Sequence, residues 1–359
     1  MKRLKILLVA FILVVTALAS GCSCTGDVLL PFNNDFNGGS APTAGYSETL
    51  TYKVSLDERY NSQIKRADSL QKSVIDYTIE GTYTSTLTVG TSFPEKQDTL
   101  LKKAFDSDLK KDVIKYNLEV YTLHTKLELV ATYYLLGDKT TPTVKNDYIE
   151  NKVYFVKADS SFSPVYSETI EKYSSLGVSD KGVFFIDYDN ELSTLYRNET
   201  YKMHVKYNNA NPAIDQTYQF EYVLGTCIDN VQLLFAIRNL GIDKDVSFEM
   251  PVVSYQYGEV QNLLIKNYAL KDVNVKPEEL SVNGAPFDGE VIKLDCIEYN
   301  LSSLTRTGLK QYCLVQREAS GNLLDKSVLY QYVEPLVTSQ TYQCMGALVY
   351  TLTSASFSL

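Results

Sequence analysis

Few side chains in this chain could carry acid–base, nucleophilic or metal chemistry, and they lie far apart. Two histidines occur in 359 residues, although imidazole is the commonest proton-transfer group near neutral pH. His124 falls in a strand-like stretch, Val113 to Leu136, and His204 on the polar side of a later one. Neither stands in a nucleophile or metal-ligand motif, so both read as solvated strand residues. The chain has no G-x-S-x-G elbow, H-E-x-x-H pair, P-loop or G-x-G-x-x-G turn. Carboxylate pairs such as Glu278 and Glu279 sit in loops. A hydrolase of envelope polymers would need two carboxyls of split pKa across a cleft. The expectation is a non-catalytic protein without metal or cofactor.

Sulfur offers better-placed chemistry. Of six cysteines, Cys22 and Cys24 stand near the N-terminus, while Cys227, Cys296, Cys313 and Cys344 lie in the body. None of the spacings matches a zinc site, which needs close Cys/Cys or Cys/His pairs. The four body cysteines could pair in three ways, and an exported protein meets conditions that allow disulfides. Cys296 and Cys313, on neighbouring expected strands, form the best-placed pair. A core of this size needs no staple, however, and buried free thiols are expected.

Cys22 closes a segment with its own logic. Lys2, Arg3 and Lys5 form a positive start, Ile6 to Val15 is apolar, and Leu18-Ala19-Ser20-Gly21 brings small residues up to the cysteine. Those are the marks of a secretory signal peptide. The apolar core, about 10 residues, falls short of the about 20 that a helical span needs. With Cys directly after the small residues, the segment resembles a bacterial lipobox, although Leu18 sits one place earlier than usual and Ala19 takes its position. That resemblance implies cleavage before Cys22 and lipid (palmitate-class acyl chains) on its sulfur. Each buried CH₂ of such a chain contributes about 0.8 kcal/mol to membrane binding. The alternative is an ordinary signal peptide cut near Ala19 or Gly21. No other run is apolar and long enough to span a membrane. The expected location is therefore the bacterial cell envelope, with the body extracytoplasmic.

Charge excludes some partners. The chain carries a net charge of −9, and losing the positive leader makes the remainder more acidic. Nucleic acid and electrostatic docking on anionic lipid are both disfavoured. Tyrosine is abundant, at 28 residues, and tryptophan is absent. Tyr, Thr and Val together favour strands, while the missing Trp argues against a sugar-stacking module.

The organisation follows. Residues 1–21 are the leader. Residues 22–46, with Gly26, Gly38, Gly39, Gly45, Pro31 and Pro42, read as a flexible tether. Residues 47–359 read as one antiparallel β-rich domain. Val74 to Val89 is a strand with Gly81 as a bulge or turn. In Val113 to Leu136 the apolar positions switch from even (Ile114, Tyr116, Leu118, Val120) to odd (Tyr121, Leu123, Leu127, Leu129). Such a switch requires a bulge, bend or turn. Clean alternation then marks Tyr201–Tyr207, Tyr218–Leu224 and Val246–Val252 as half-buried strands. Further strands are expected at Val291–Tyr299, Leu309–Arg317, Ser327–Val333 and Gly346–Phe357, with Ser320-Gly321-Asn322 turning a hairpin. The Asn198-Glu199-Thr200 and Asn300-Leu301-Ser302 triplets match the glycosylation pattern by chance.

One segment breaks the strand pattern. Asp229 reads as an N-cap, Val231 to Leu240 as an apolar helix and Gly241 as its C-cap. Leu233, Leu234, Phe235, Ala236, Ile237 and Leu240 surround most of its circumference. Such a helix must be buried or must cover something apolar. It either packs as a plain core helix or lies across the concave face of a curved sheet, where Val231, Leu234, Phe235, Ile237 and Arg238 would line a ligand site.

Ser163-Pro164-Val165-Tyr166-Ser167 after a strand, Ile228-Asp229-Asn230-Val231 leading into Leu233-Leu234-Phe235-Ala236-Ile237-Arg238, and the final Gly346–Leu352 strand together resemble uncharacterised bacterial envelope proteins of LolA-like half-barrel architecture. The resemblance covers roughly residues 47–358. It implies an incomplete antiparallel barrel around an apolar hollow, with one or two helices on the concave side and no catalytic site. A permanent tether fits a receptor or holder better than a shuttle. The expected function is a lipid-anchored envelope protein that binds an apolar or lipid-like ligand. The alternative is a structural or interaction scaffold for other envelope components.

Overall fold

The computed structural model describes residues 42–56, 74–93, 118–135, 138–158, 161–173, 181–187, 198–208, 215–223, 228–238, 247–254, 259–268, 281–286, 294–301, 310–316, 328–333 and 348–358. Cys22, the leader and most of the expected tether lie outside them, as do Cys227, Cys344, Leu240, Gly241 and the Ser320-Gly321-Asn322 turn.

The chain is mainly β, as its alternation predicts. The strands are β1 (Ser47–Leu56), β2 (Val74–Gly90), β3 (Val120–Leu135), β4 (Asp138–Ala158), β5 (Ser161–Tyr173), β6 (Lys181–Asp187), β7 (Asn198–Asn208), β8 (Asp215–Val223) and β9 (Ile228–Asp229). A 3₁₀ turn (Asn230–Gln232) and the short helix α1 (Leu233–Arg238) follow. Then come β10 (Ser247–Ser254), β11 (Glu259–Tyr268), β12 (Ser281–Val282), β13 (Ala285–Pro286), β14 (Leu294–Leu301), β15 (Lys310–Gln316), β16 (Val328–Val333) and β17 (Leu348–Ser358). No helix among the described residues is long and apolar enough to cross a membrane.

Among the described residues fifteen strands form one sheet in the order β8-β7-β6-β5-β4-β3-β2-β1-β17-β16-β15-β14-β11-β10-β9. The ladders are antiparallel except for β9 with β10, whose pairing of Val252 with Ile228 is parallel. The two ends of the chain meet in the middle of this order. Ser47 pairs with Ser358 and Leu56 with Leu348. Among the described residues no ladder closes the sheet, yet it rolls: β9, at one end of the order, comes against β5, and β8, at the other end, approaches β11. The roll is helped by bulges, which bend strands and raise their twist. Register shifts occur at Thr51/Tyr52 between β1 and β17, at Ile75/Thr78 between β2 and β3, and at Tyr154/Phe155 between β4 and β5.

Alternation sorts residues to the two faces. On β1, Glu48, Leu50, Tyr52, Val54 and Leu56 are buried and the residues between them are not. On β3 the buried set is Tyr121, Leu123, Thr125, Leu127, Leu129 and Ala131. Thus the odd phase read in the sequence is the inner face. Val120 is buried too, at 2% exposure, so both faces are covered where the phase changes. The even positions from Ile114 to Tyr116 lie outside the described residues.

Gly81 is not a bulge. It stays in register, opposite Val54 and Leu129, and the shift in β2 lies earlier. Glycine is needed because a Cβ here would collide with the Glu128 carbonyl and come within 2.7 Å of Leu129 Cδ2. Pro164 of the Ser163–Ser167 motif lies inside β5, where it pairs with Phe155 beside the bulge, a position that tolerates a missing N–H. Cys296 pairs with Leu314, and Ile297 with Cys313. The two cysteines stand one register position apart rather than opposite each other.

A small hairpin protects an edge. Asn283 and Gly284 turn β12 into β13 with φ of 55° and 77°, the positive values a tight two-residue turn requires. β16 pairs with β17 only as far as Thr351. Beyond it the Asn283 backbone N–H donates to the Thr353 carbonyl at 2.7 Å. Its side chain then brackets Ala355, donating to the carbonyl at 3.0 Å and accepting from the N–H at 2.9 Å. An uncovered strand edge invites pairing with other chains.

Candidate functional site

The inner wall of the roll is the candidate site. It has three levels along β2, β3, β4 and β5, set by register. At the first level Leu87 and Val89 of β2, Tyr121 and Leu123 of β3, Val153 and Phe155 of β4 and Phe162 of β5 form a buried cluster. Phe235 of α1 completes it, with Val231 packed at its side. Tyr121 stacks on Phe155 at 5.2 Å, and Phe235 meets Phe162 edge-on at 5.1 Å. Offset and edge contacts of this kind contribute about 0.5–1.5 kcal/mol per pair beyond burial.

Local chemistry explains why a helix forms at this point. Asp229 is extended and its carboxylate accepts from the Val231 N–H at 2.8 Å. The Gln232 side-chain oxygen accepts in return from the Asp229 N–H at 2.9 Å. This capping box satisfies donors that a helix start leaves orphaned. The expected cap is therefore present, although a 3₁₀ turn precedes α1. The Gln232 amide also donates to the Phe162 carbonyl at 3.4 Å. It thereby ties the β9 end of the sheet to β5.

Of the expected ligand residues, Phe235 is 4% exposed and belongs to the plug, and Val231 is half-buried beside it. Leu234, Ile237 and Arg238 lie on α1, but their side chains are outside the described residues. The end of the expected tether docks at the same level. The Gly45 N–H donates to the Val89 carbonyl at 2.9 Å, and the Tyr121 hydroxyl to the Pro42 carbonyl at 2.6 Å.

The second level is polar. Ser85, Thr125, Asn151 and Thr169 stand opposite one another on four successive strands. The Asn151 amide donates to Thr125 Oγ1 at 3.0 Å, and Thr169 Oγ1 donates to Asn151 Oδ1 at 2.8 Å. Ser85 and Thr125 hydrogen-bond the Tyr83 hydroxyl. Thr125 and Thr169 are each 2% exposed. No sequence motif announces this rung. Its signal is a polar residue at an inner-phase position, such as Thr125 between Leu123 and Leu127.

The third level is apolar and aromatic. Ile79, Leu127, Leu129 and Ala131 are buried, and Tyr83 packs against Tyr52 and edge-on to Tyr350 at 5.5 Å. Burial pushes the Tyr83 hydroxyl up to about 12, against the opposing hydrogen bonds from Thr125 and Ser85. Burial also raises Tyr350, with the charge of Tyr83 adding to it.

A further set of titratable groups lies on the outer face. His124 Nε2 lies 2.7 Å from Glu150 Oε1, the Tyr148 hydroxyl donates to the other Glu150 oxygen, and Lys152 stands 3.7 Å away. His124 is thus a partly solvated strand residue, as its sequence position suggests, and is paired with Glu150 as well. Burial opposes ionisation of Glu150, but the hydrogen bonds from Tyr148 and His124 and the charges of Lys152 and His124 outweigh it, holding the carboxyl below 4.5. Lys126 pairs with Glu128 at 2.9 Å and lies over the Tyr148 ring. Among the described residues no group of His, Cys, Asp and Glu could hold a metal ion. His204 pairs with Phe185 and Thr217 in register, and its side chain is outside the described residues.

No family model matches the chain, and no curated protein matches it significantly. Among solved structures it is similar to a crystal structure of a beta-barrel-like protein of domain of unknown function DUF1849 from Brucella abortus. The identity is 8%, covering 88% of this chain and 99% of that one, with a TM-score of 0.43. The fold assignment stands on the strand ladder itself.

Proposed function

We propose that this protein is an extracytoplasmic lipoprotein, held on a bacterial membrane through lipid on Cys22, that binds an apolar or lipid-like ligand within its rolled sheet without catalysing a reaction. The supporting observation is the size of the roll. From β5 the sheet runs through β4, β3, β2, β1, β17, β16, β15, β14, β11 and β10 to β9, which returns against β5. A barrel of about eight strands is just filled by its own side chains, and diameter grows with strand number. On this reading the longer circuit is wide enough to take a ligand beside its inner side chains. The Phe235 cluster packs on the wall at one level, and Ile79, Leu127 and Leu129 lie farther along the same face.

Native mass spectrometry of the full chain, released from its own membranes, tests the binding reading. A bound mass in the lipid range is expected; a bare monomer overturns it. Leu234→Asp or Ile237→Asp, in protein that still folds, is expected to abolish that mass. Metabolic labelling with a palmitate analogue tests the anchor: Cys22→Ala should lose the label, and retained label would assign the lipid elsewhere.

The second reading, a scaffold for other envelope components, draws on the outer face. Thr82 and Thr88 are exposed, Thr84 and Thr86 half-buried, and His124, Lys126 and Glu150 line the neighbouring strands. A stable protein partner recovered without bound lipid would favour it.

A further inference from the structure

The chain enters the body at one end of the roll, and hydrogen bonds fix the place. β1, β3 and β5 begin at this end, at Ser47, Val120 and Ser161, while β2, β4 and β17 finish there, at Gly90, Ala158 and Ser358. The Phe235 cluster lies at the same level, through Val89, Tyr121, Phe155 and Phe162. Pro42 is buried, and its carbonyl accepts from the Tyr121 hydroxyl at 2.6 Å. The Gly45 N–H donates to the Val89 carbonyl at 2.9 Å, and the Val89 N–H donates to the Tyr46 carbonyl at 3.0 Å. Tyr46 itself packs against the cluster. Backbone bonds on β2 and a side-chain bond on β3 thus pin the entry point at Pro42.

We propose that the Phe235 end of the roll is the end presented to the bilayer, and that the β3–β4 hairpin end points away from it. The inference rests on the lipid anchor at Cys22 proposed above. Chain length carries it. Pro42 follows Cys22 by 20 positions, and a Gly-rich chain of that length spans about 25 Å on average. At the other end Val144 stands opposite Thr132, 11 positions beyond Tyr121 on β3. At the usual strand rise that distance is about 37 Å along β3, or about 30 Å of height after a barrel-like tilt. The hairpin end therefore lies about one tether span farther from the anchor than Pro42 does. The rim nearest the entry point does not oppose this placement. Its exposed described residues, Thr43, Ala44, Gly45, Thr91 and Ser92, carry no charge to repel headgroups.

The test is energy transfer from the lipidated protein to phosphatidylcholine vesicles whose headgroups carry an acceptor dye. These vesicles have no net charge, so the acidity of the chain does not lift the body away. A fluorescent amino acid replaces Ser92, exposed just past the end of β2, in one sample and Val144, exposed at the hairpin end, in another. Flotation with the vesicles, and its loss in Cys22→Ala, reads the anchor separately. Transfer from position 92 is expected to exceed that from position 144 by about twofold or more, because the hairpin adds about 30 Å to a span of about 25 Å. Inserting about forty Gly and Ser residues after Ser40 is expected to draw the two values together, since reach grows with the square root of length. Equal transfer, or more from position 144, in protein that floats overturns the orientation and leaves the anchor standing. A difference that the longer insert leaves unchanged overturns the tether as its cause. Protein that does not float overturns the anchor reading and this orientation with it.

Discussion

The side-chain amide of Gln232 donates to the backbone carbonyl of Phe162 at 3.4 Å, across 70 positions of chain. Gln232 is fully buried. One residue thus completes a helix cap on one side and holds the β5–β9 seam on the other.

Gln232→Leu should remove both bonds while keeping the volume, leaving the Asp229 N–H and the Phe162 carbonyl unmet. A buried unsatisfied group costs about 1–3 kcal/mol, so a loss of about 2–4 kcal/mol is expected in urea denaturation. A loss below half a kcal/mol would mean that water satisfies the seam.

Phe235→Ala empties the middle of the aromatic plug. Phe-to-Ala changes in cores cost about 3–5 kcal/mol, and the same range is expected here. Tyr121→Phe keeps the ring but loses the bond to Pro42. Its expected signature is local: faster amide exchange at Gly45 and Val89, with global stability lowered by about 1 kcal/mol. Unchanged exchange there would detach Pro42–Tyr46 from the plug.

Gly81→Ala places a Cβ against the Glu128 carbonyl and Leu129. Overpacking typically costs about 1–3 kcal/mol. Tolerance of this change, measured by thermal denaturation, would show that β2 and β3 can separate at that point.

Stability should fall in alkali. Burial raises Tyr83 to about 12, and it raises Tyr121 and Tyr350 as well. In the unfolded chain such phenols ionise near 10.0. The folded state therefore keeps protons that the unfolded state loses, so stability is complete below pH 10 and declines as pH rises toward the folded values. Absorbance at the tyrosinate band should rise in two phases, the later one coinciding with unfolding. A single phase centred near pH 10 in folded protein would contradict the burial of these rings.

Acid should act through Glu150. Its carboxyl is held below 4.5 in the folded state, so the stability it contributes is present above that pH and lost as pH falls through the folded value. Carboxyl NMR should place Glu150 below the ordinary range, and His124→Ala or Tyr148→Phe should move it upward. No movement in either variant would assign the shift to other charges.

Much of the secondary structure was legible in the chain because it rests on local chemistry. Period-two alternation marks β7, β8 and β10, since a strand turns successive side chains to opposite faces. Asp229 declared a helix start because a cap needs nothing beyond the next few residues. The Asn283-Gly284 turn carried an equally local signal that went unread. The plug residue Phe235 could be picked out by its apolar surroundings, but what it packs against could not.

Tertiary structure decided the rest. Ser47 pairs with Ser358 at opposite ends of the body, and nothing in either segment names the other. Register is a property of two strands at once, and a shift of one position moves every side chain to the other face. That is why Cys296 and Cys313 seemed a pair and stand one step apart, and why His124, partly solvated as read, also meets Glu150. It is also why Asn151, Thr125 and Thr169, unremarkable in their own strands, become a continuous rung. The sequence determines which residues prefer strands and which face each other along one strand; the folding of distant strands into one roll determines which residues become neighbours, because hydrogen-bonded register joins segments that local preference cannot relate.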